Sequence, residues 1–98
     1  MKHKLIVRPE AEAELEEAFA WYEQQVAGLG EHFLLAIDAT IDSIQRNPLQ
    51  YPVVYNGIRR ALTRRFPYQV FFVVEDMQIS IIAIFHGMRN PTIWRNRN

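Results

Sequence analysis

Cysteine is missing from the 98 residues of this chain, so disulfide bonds and thiolate catalysis are both excluded. Long apolar runs are missing as well, because stretches such as Val70 to Val74 are far too short to cross a bilayer. The opening segment, MKHKLIVRPE, lacks the extended apolar core of a signal peptide. The sequence therefore predicts a cytoplasmic protein that is held together by packing and has no membrane partner.

Patterns that indicate catalysis with a cofactor are also missing. His3, His32 and His86 do not have metal-ligand spacing, so we expect no metal site. Neither a GxSxG nucleophile elbow nor a GxxxxGKS/T phosphate loop occurs, which argues against acyl transfer and nucleotide hydrolysis. The glutamates between positions 10 and 17 spread around a predicted helix and are interpreted as a solvated face. No cofactor is expected.

Net charge is zero overall, but it is unevenly distributed along the chain. Residues 1–50 carry four basic and nine acidic side chains, a net charge of −5, whereas residues 51–98 carry seven basic and two acidic ones, a net charge of +5. The two halves could neutralise each other in the fold, or the second half could present a basic face to an acidic partner. The sequence leaves both interpretations open.

Composition and periodicity predict one globular domain that spans residues 1–98. A hydrophobic fraction of 49% and a charged fraction of 22% are ordinary for a folded chain. Apolar residues at three- and four-residue spacing predict helices over residues 9–27 and 31–46. The segments that read as strands are 4–8, 58–65, 67–74 and 78–85. The order β-α-α-β-β-β predicts a two-layer α+β fold, with a helical hairpin on a mainly antiparallel four-stranded sheet.

Four arginines lie within the first seven residues of the stretch RRALTRRFPYQVFF, residues 59–72. Alternation along a strand places Arg59, Ala61, Thr63 and Arg65 on one side and Ile58, Arg60, Leu62, Arg64 and Phe66 on the other. The second set contains the bulky apolar residues, so we expect it to face the helices. The first set would then lie on an open face of the sheet, available to a partner.

Two roles compete for these arginines. They could protect an exposed strand from edge-to-edge aggregation and pair with the glutamates of the first helix, or they could bind an anionic partner. The C-terminal segment adds basic residues around an aromatic side chain, which is a weak pattern for nucleic-acid binding. The residues predicted to bind a target or partner are Arg59, Arg60, Arg64, Arg65, Arg89, Trp94 and Arg95.

Several short motifs, in their order and spacing, resemble the RelE/ParE superfamily of bacterial type II toxins. They are the NP..YP segment at 47–52, the Arg59-Arg60 pair, FPYQVFF at 66–72 and IIAIFHGMRNPTIW at 81–94. The resemblance covers nearly the whole chain and implies the β-α-α-β-β-β fold. It also implies a cognate antitoxin that neutralises the toxin by wrapping an otherwise disordered segment around it. The implied target is DNA gyrase for ParE-like members and ribosome-bound messenger RNA for RelE-like members.

The central strand and the tail favour the ParE-like branch. RelE-like nucleases commonly carry an arginine after the tyrosine of the central strand, and a tyrosine or histidine near the C-terminus. Here Gln69 follows Tyr68, and the tail offers Trp94 and Arg95. The resemblance therefore predicts a growth-arresting toxin that inhibits gyrase by binding, without catalytic residues.

The alternative is an enzyme, a RelE-like endoribonuclease that depends on the ribosome and needs no metal. Its implied catalytic residues are Arg65, Arg89 and His86. Arg89 matches the arginine that such nucleases place near the scissile phosphate, but ParE-like members carry an arginine there too. The sequence leaves open whether the protein forms a homodimer.

Overall fold

The computed structural model of the chain describes residues 3–87 and 90–97. Its elements, in chain order, are β1 (Lys4–Val7), α1 (Pro9–Gln25), α2 (Leu29–Arg46), a 3-10 turn (Pro48–Gln50), β2 (Val53–Tyr55), β3 (Ile58–Leu62), β4 (Tyr68–Glu75), β5 (Gln78–His86) and α3 (Thr92–Arg95). The predicted α+β class and the order of the main elements are confirmed. Two short elements, β2 and α3, were not expected from the sequence.

The two long helices begin and end where local chemistry requires it. Pro9 occupies the first turn of α1, where an N–H would have no helical partner. The chain then reverses through Gly28, whose φ of +89° is easily reached by glycine. Helix α2 ends at Arg46, because the next residue, Asn47, precedes a proline and avoids helical geometry. In the described part of the chain, no helix is long and apolar enough to cross a membrane.

The helices approach each other closely at Gly30. A Cβ atom at this position would lie 2.8 Å from the ring of Phe19 and 2.8 Å from Oε1 of Glu23, so a side chain would displace its neighbours. The carboxylate of Glu23 accepts hydrogen bonds from the N–H groups of Gly28 (2.9 Å) and Gly30 (2.8 Å). These two bonds fasten the end of α1 to the start of α2, and they lower the pKa of Glu23.

The sheet has five strands in the order β1-β5-β4-β3-β2. Strand β1 pairs in parallel with β5, and the other neighbours are antiparallel. The β2–β3 hairpin turns through Asn56 and Gly57, whose φ angles of +46° and +79° are the backbone that an Asn-Gly pair adopts most easily. The sheet therefore has one strand more than the four that were predicted. The Asn56-Gly57 dipeptide, which is typical of a two-residue hairpin turn, indicates the additional strand in the sequence.

Apolar side chains cover both faces of the sheet. The cluster beneath the helices includes Phe33 and Phe72, and the cluster on the opposite face includes Phe71, Ile82 and Ala83. A register shift between β4 and β5 lets two consecutive residues of β5, Ile82 and Ala83, join the same cluster. Strand β4 is buried on both sides, which explains its continuous run of apolar residues.

The predicted facing of β3 is wrong. Ala61, expected on the open side, is 1% exposed and lies in the cluster beneath the helices, whereas Ile58, expected to face the helices, lies in the opposite cluster. The prediction of an open sheet face is also wrong. Trp94 of α3 covers the face opposite the helices and stacks on Phe71, with ring centroids 4.0 Å apart. When both faces are buried, apolar bulk no longer identifies the side that meets the helices.

Candidate partner-binding site

A groove of about 900 Å³ lies between α2 and the connection from β3 to β4. Helix α2 forms one wall with residues that recur every three or four positions, among them Leu29, His32, Leu35, Ala36, Ala39 and Ser43. The other wall is formed by Tyr51, Leu62, Arg64, Arg65 and Phe66. The hydroxyl of Tyr51 donates a hydrogen bond to Oγ of Ser43 at 2.8 Å, which joins the two walls at one end.

The groove exposes large apolar side chains from both walls. Leu35 on α2 is 66% exposed, and Leu62 at the end of β3 is 65% exposed. Phe33 and Ile37 belong to a different stripe of α2, the one that packs in the core. Helix α2 therefore has a second apolar stripe that faces solvent along the groove. Exposed apolar surface concentrated in one place is typical of a site for another protein.

Arg64 and Arg65, two of the predicted binding residues, lie at the rim of this groove and are exposed. Arg65 has a left-handed backbone with φ of +69°, a conformation that costs a long side chain on the order of 1 kcal/mol. The ion pairs within the described residues involve other arginines. The glutamates of α1 therefore do not neutralise these two cations, and each guanidinium faces solvent beside an apolar surface.

Arg59 and Arg60 lie side by side on β3, but their surroundings differ. The guanidinium of Arg59 donates to the carbonyl of Tyr51 and, at 3.5 Å, to that of Leu49. It thereby holds the segment that leads into β2, which is a structural role. Arg60 lies opposite Phe71 in the β3–β4 pair, and its buried Nε has no hydrogen-bond partner among the described residues. Partner binding by Arg60 stays a prediction.

Trp94 and Arg95, the C-terminal candidates that the structure describes, do not line the groove. Trp94 is 6% exposed and is buried against Phe71, so it is inaccessible to a partner while α3 stays on the sheet. Arg95 is exposed, and its guanidinium lies 4.9 Å from the ring centroid of Tyr55. Arg89 lies outside the described residues. The predicted binding set is therefore split between the groove rim, the interior and the tail.

His86 lines a second depression of about 560 Å³, between α1 and the ends of β4 and β5. Its ring meets the ring of Tyr68 edge-on, with centroids 5.4 Å apart. In the same depression, burial and the neighbouring Tyr68 raise the pKa of Tyr22. Arg65 lines the first groove, so the structure does not bring it together with His86. Among residues 3–87 and 90–97, no cluster of three His, Cys, Asp or Glu side chains could hold a metal ion.

The sequence did not predict the partly buried ion pair between Glu14 and Arg97, which is called the buried pair below because little of it is exposed. Their side chains are 12% and 15% exposed, and Nη1 of Arg97 lies 3.0 Å from Oε1 of Glu14. Glu14 also accepts a hydrogen bond from the N–H of Ile84 at 3.0 Å, and Arg97 donates to the carbonyl of Ile82 at 3.1 Å. Together these contacts fasten the C-terminal segment and α1 to the edge of β5.

The sequence did contain a signal for this pair. Glu14 lies three residues after Ala11 and four residues before Ala18, and both alanines are buried beneath α1. Residues at this spacing share one face of a helix. A carboxylate in a helical stripe that faces the core needs a partner. This spacing therefore distinguishes Glu14 from the solvent-exposed glutamates of α1.

Comparisons with known proteins agree with one another. The family profile described as "ParE toxin of type II toxin-antitoxin system, parDE" matches residues 5–91. Toxin ParE2 of Mycobacterium tuberculosis, in the strains CDC 1551 / Oshkosh and ATCC 25618 / H37Rv, is 30% identical over 92 residues, which cover 93% of this chain and 88% of that protein.

The fold is also found among solved structures. The chromosomal ParDE TA system from P. aeruginosa contains a chain that matches with a TM-score of 0.77 at 20% identity, covering 87% of this chain and 96% of that one. At this identity the match supports the fold alone, whereas the profile and the mycobacterial toxin identify the family. The chain belongs to the ParE toxin family of type II toxin-antitoxin systems.

Proposed function

We propose that this ParE-family toxin arrests growth in the cytoplasm by binding and inhibiting DNA gyrase, and that a cognate antitoxin neutralises it through the groove along α2. The observation that carries the proposal is the apolar groove with Arg64 and Arg65 exposed at its rim. Within the described residues, no carboxylate pairs with either arginine. An acidic and apolar peptide would neutralise the cations and cover the leucines at once.

Inhibition by binding agrees better with the described geometry than RNA cleavage does. Phosphoryl transfer without a metal needs a cation and a proton-transfer group around one phosphate. Two residues of that alternative, Arg65 and His86, line separate depressions, and Arg89 lies outside the described residues. The endoribonuclease therefore stays a prediction from the sequence, and gyrase inhibition is the function we put forward.

A supercoiling assay with purified gyrase tests the target. We expect the toxin to inhibit supercoiling, and we expect its cognate antitoxin to restore it. Growth arrest in cells whose gyrase keeps full supercoiling activity would overturn the proposal. Transcript ends that map within ribosomal A-site codons during expression would identify the endoribonuclease instead.

A charge-reversal experiment tests the role of the groove rim. The double variant Arg64→Glu with Arg65→Glu should weaken antitoxin binding at least tenfold, while the melting temperature should change little because both side chains are exposed. The matched control is Lys4→Glu with Arg46→Glu, which changes the net charge equally at exposed positions outside the groove. Equal loss of binding in both variants would show that overall charge, and not this rim, attracts the antitoxin.

A further inference from the structure

The second depression, between α1 and the ends of β4 and β5, differs in charge from the groove along α2. Among the described residues that line it, there is no lysine or arginine, and the charged side chains besides the titratable His86 are Glu14 and Glu17. The two cavities share no lining residue. An anionic ligand such as a phosphate would meet carboxylates in the second depression, so its charge favours a cation.

Helix α1 forms one wall of the second depression. Glu14, Glu17, Ala18 and Trp21 are three or four residues apart, so they share one side of the helix. The side chain of Trp21 is 55% exposed, although it is large and apolar. Ala18 and Ile84 of β5 are buried and line the same space, which gives the depression an apolar base.

Aromatic rings line the second depression at steep angles to one another. The ring of Tyr22 meets that of Trp21 at 82° and that of Tyr68 at 62°, with centroids 5.1 and 6.1 Å apart. The ring of Tyr68 in turn meets that of His86 at 81°. The ring faces therefore point in several directions, as they do in the aromatic cages that bind ammonium groups. The face of an aromatic ring carries partial negative charge, which attracts cations.

The two carboxylates contribute differently to the charge of the second depression. Glu14 already accepts hydrogen bonds from Arg97 and from the N–H of Ile84, so a cation of the protein itself neutralises it. Glu17 is exposed, and the ion pairs between described side chains do not involve it. Glu17 lies four residues before Trp21 on the same side of α1, so one ligand can contact both.

We propose that the second depression binds an organic cation, a guanidinium or alkylammonium group on a short apolar stem. The charged head contacts the ring of Trp21 and the carboxylate of Glu17, and the stem lies against Ala18 and Ile84. The volume of about 560 Å³ falls within the range of about 300–1,000 Å³ that is usual for small-molecule sites. Cation binding at this position is a property beyond gyrase inhibition and does not depend on it.

An NMR titration of the unmodified protein tests the preference for positive charge. The chain has two tryptophans, and Trp94 is buried outside the second depression, so its indole N–H signal is an internal reference for that of Trp21. Butylguanidinium and choline should shift the signal of Trp21 alone. Their neutral isosteres, butylurea and dimethylbutanol, should bind about tenfold more weakly. If neither cation binds more tightly than its isostere, or if both indole signals shift alike, the proposal is overturned.

Two substitutions at exposed positions assign the contacts. Trp21→Leu keeps an apolar side chain but removes the aromatic ring, and it should weaken butylguanidinium binding, followed at the amide of Tyr68, about tenfold. Glu17→Gln should weaken it about threefold. The matched control is Glu16→Gln, an exposed neighbour that does not line the second depression. Unchanged affinity in Trp21→Leu, or equal losses in the Glu16 and Glu17 variants, would contradict the assigned contacts and overturn the site.

The same titration distinguishes two sources of the cation. N-acetylarginine amide represents an arginine side chain of another protein, and N-acetylcitrulline amide is its neutral match. If the blocked arginine binds as tightly as butylguanidinium, the site accepts a protein side chain; if it is excluded, the site takes a free compound. Loss of the proposed gyrase inhibition would leave this site standing, and absence of cation binding would leave gyrase inhibition standing.

Discussion

Breaking the ion pair between Glu14 and Arg97 should destabilise the fold far more than breaking the pair between Asp42 and Arg46. The first pair joins side chains that are 12% and 15% exposed, at 3.0 Å. The second joins side chains that are 51% and 65% exposed, at 3.4 Å on the surface of α2. Because attraction between charges strengthens as water is excluded, the difference in exposure should dominate the difference in energy.

The expected magnitude follows from this geometry. At 3.0 Å and an effective dielectric constant of about 20, two unit charges attract by about 5 kcal/mol, but desolvation of both groups offsets much of this. Exposed pairs four residues apart on a helix contribute about 0.3–0.5 kcal/mol. Glu14 keeps its hydrogen bond from Ile84 when the arginine is removed. We therefore expect a coupling energy of about 2 kcal/mol for the buried pair.

The single substitutions should also differ from each other. Arg97→Met leaves the carboxylate of Glu14, which is 12% exposed, without its cation, and should cost about 3 kcal/mol. Glu14→Gln leaves Arg97 with its hydrogen bond to the carbonyl of Ile82 and with a side-chain amide oxygen in place of the carboxylate, so it should cost about 1–2 kcal/mol. The order of these two costs is a prediction independent of the coupling energy.

Urea unfolding provides the measurement. The wild type, the variants Glu14→Gln and Arg97→Met, and their combination form one double-mutant cycle, and Asp42→Asn with Arg46→Met forms the control cycle. A coupling energy for the buried pair that is no larger than that of the surface pair would refute the reasoning. It would mean that other contacts, such as the stacking of Trp94 on Phe71 and the hydrogen bond from Arg8 to the carbonyl of Arg97, hold the C-terminal segment on the sheet.

Two further predictions concern the junction of the helices. Gly30→Ala should lower the free energy of unfolding by about 1–3 kcal/mol, although alanine is the better helix former, because its Cβ would lie 2.8 Å from the ring of Phe19; an unchanged melting temperature would contradict this. Glu23→Gln should lower stability at pH 7. Since the folded pKa of Glu23 is lowered, its advantage over glutamine is complete above the ordinary value of 4.5 and lost as the pH falls through the folded value. Unfolding measured at pH 7 and at successively lower pH tests this, and a difference that does not shrink as the pH falls would disprove it.

Local patterns in the sequence predicted most of the fold. Both long helices have strong three- to four-residue periodicity, the long C-terminal strands are runs rich in β-branched and aromatic residues, and these elements form within a few residues of the predicted bounds. The short strand β2 has three residues and too little periodicity to detect, although Asn56-Gly57 marked its hairpin. The facing of β3 failed because the rule used to assign it assumes one buried face, and this sheet has two.

The site was less predictable than the fold. Clustering along the chain led to the prediction of Arg64 and Arg65 as binding residues, but the groove beside them depends on the position of α2 relative to the end of β3, which no local pattern contains. Trp94 between basic residues resembled a binding motif, yet it fills the second core because α3 folds back onto Phe71. The roles of Trp94 and Glu14 both depend on where the C-terminal segment lies, and that is a long-range property of the fold.

The distribution of charge on the surface also limits the sides from which an acidic partner could approach this toxin. The solvent face of the helical hairpin is acidic, with Glu12, Glu16 and Glu17 exposed on α1, so it should repel such a partner. Arg64 and Arg65 should attract it to the groove on the other side of α2, where Leu35 and Leu62 are exposed. The opposite net charges of the two halves of the sequence therefore place negative charge on the outer surface of α1 and positive charge at the groove. A basic antitoxin would reverse this expectation and favour the outer surface of α1.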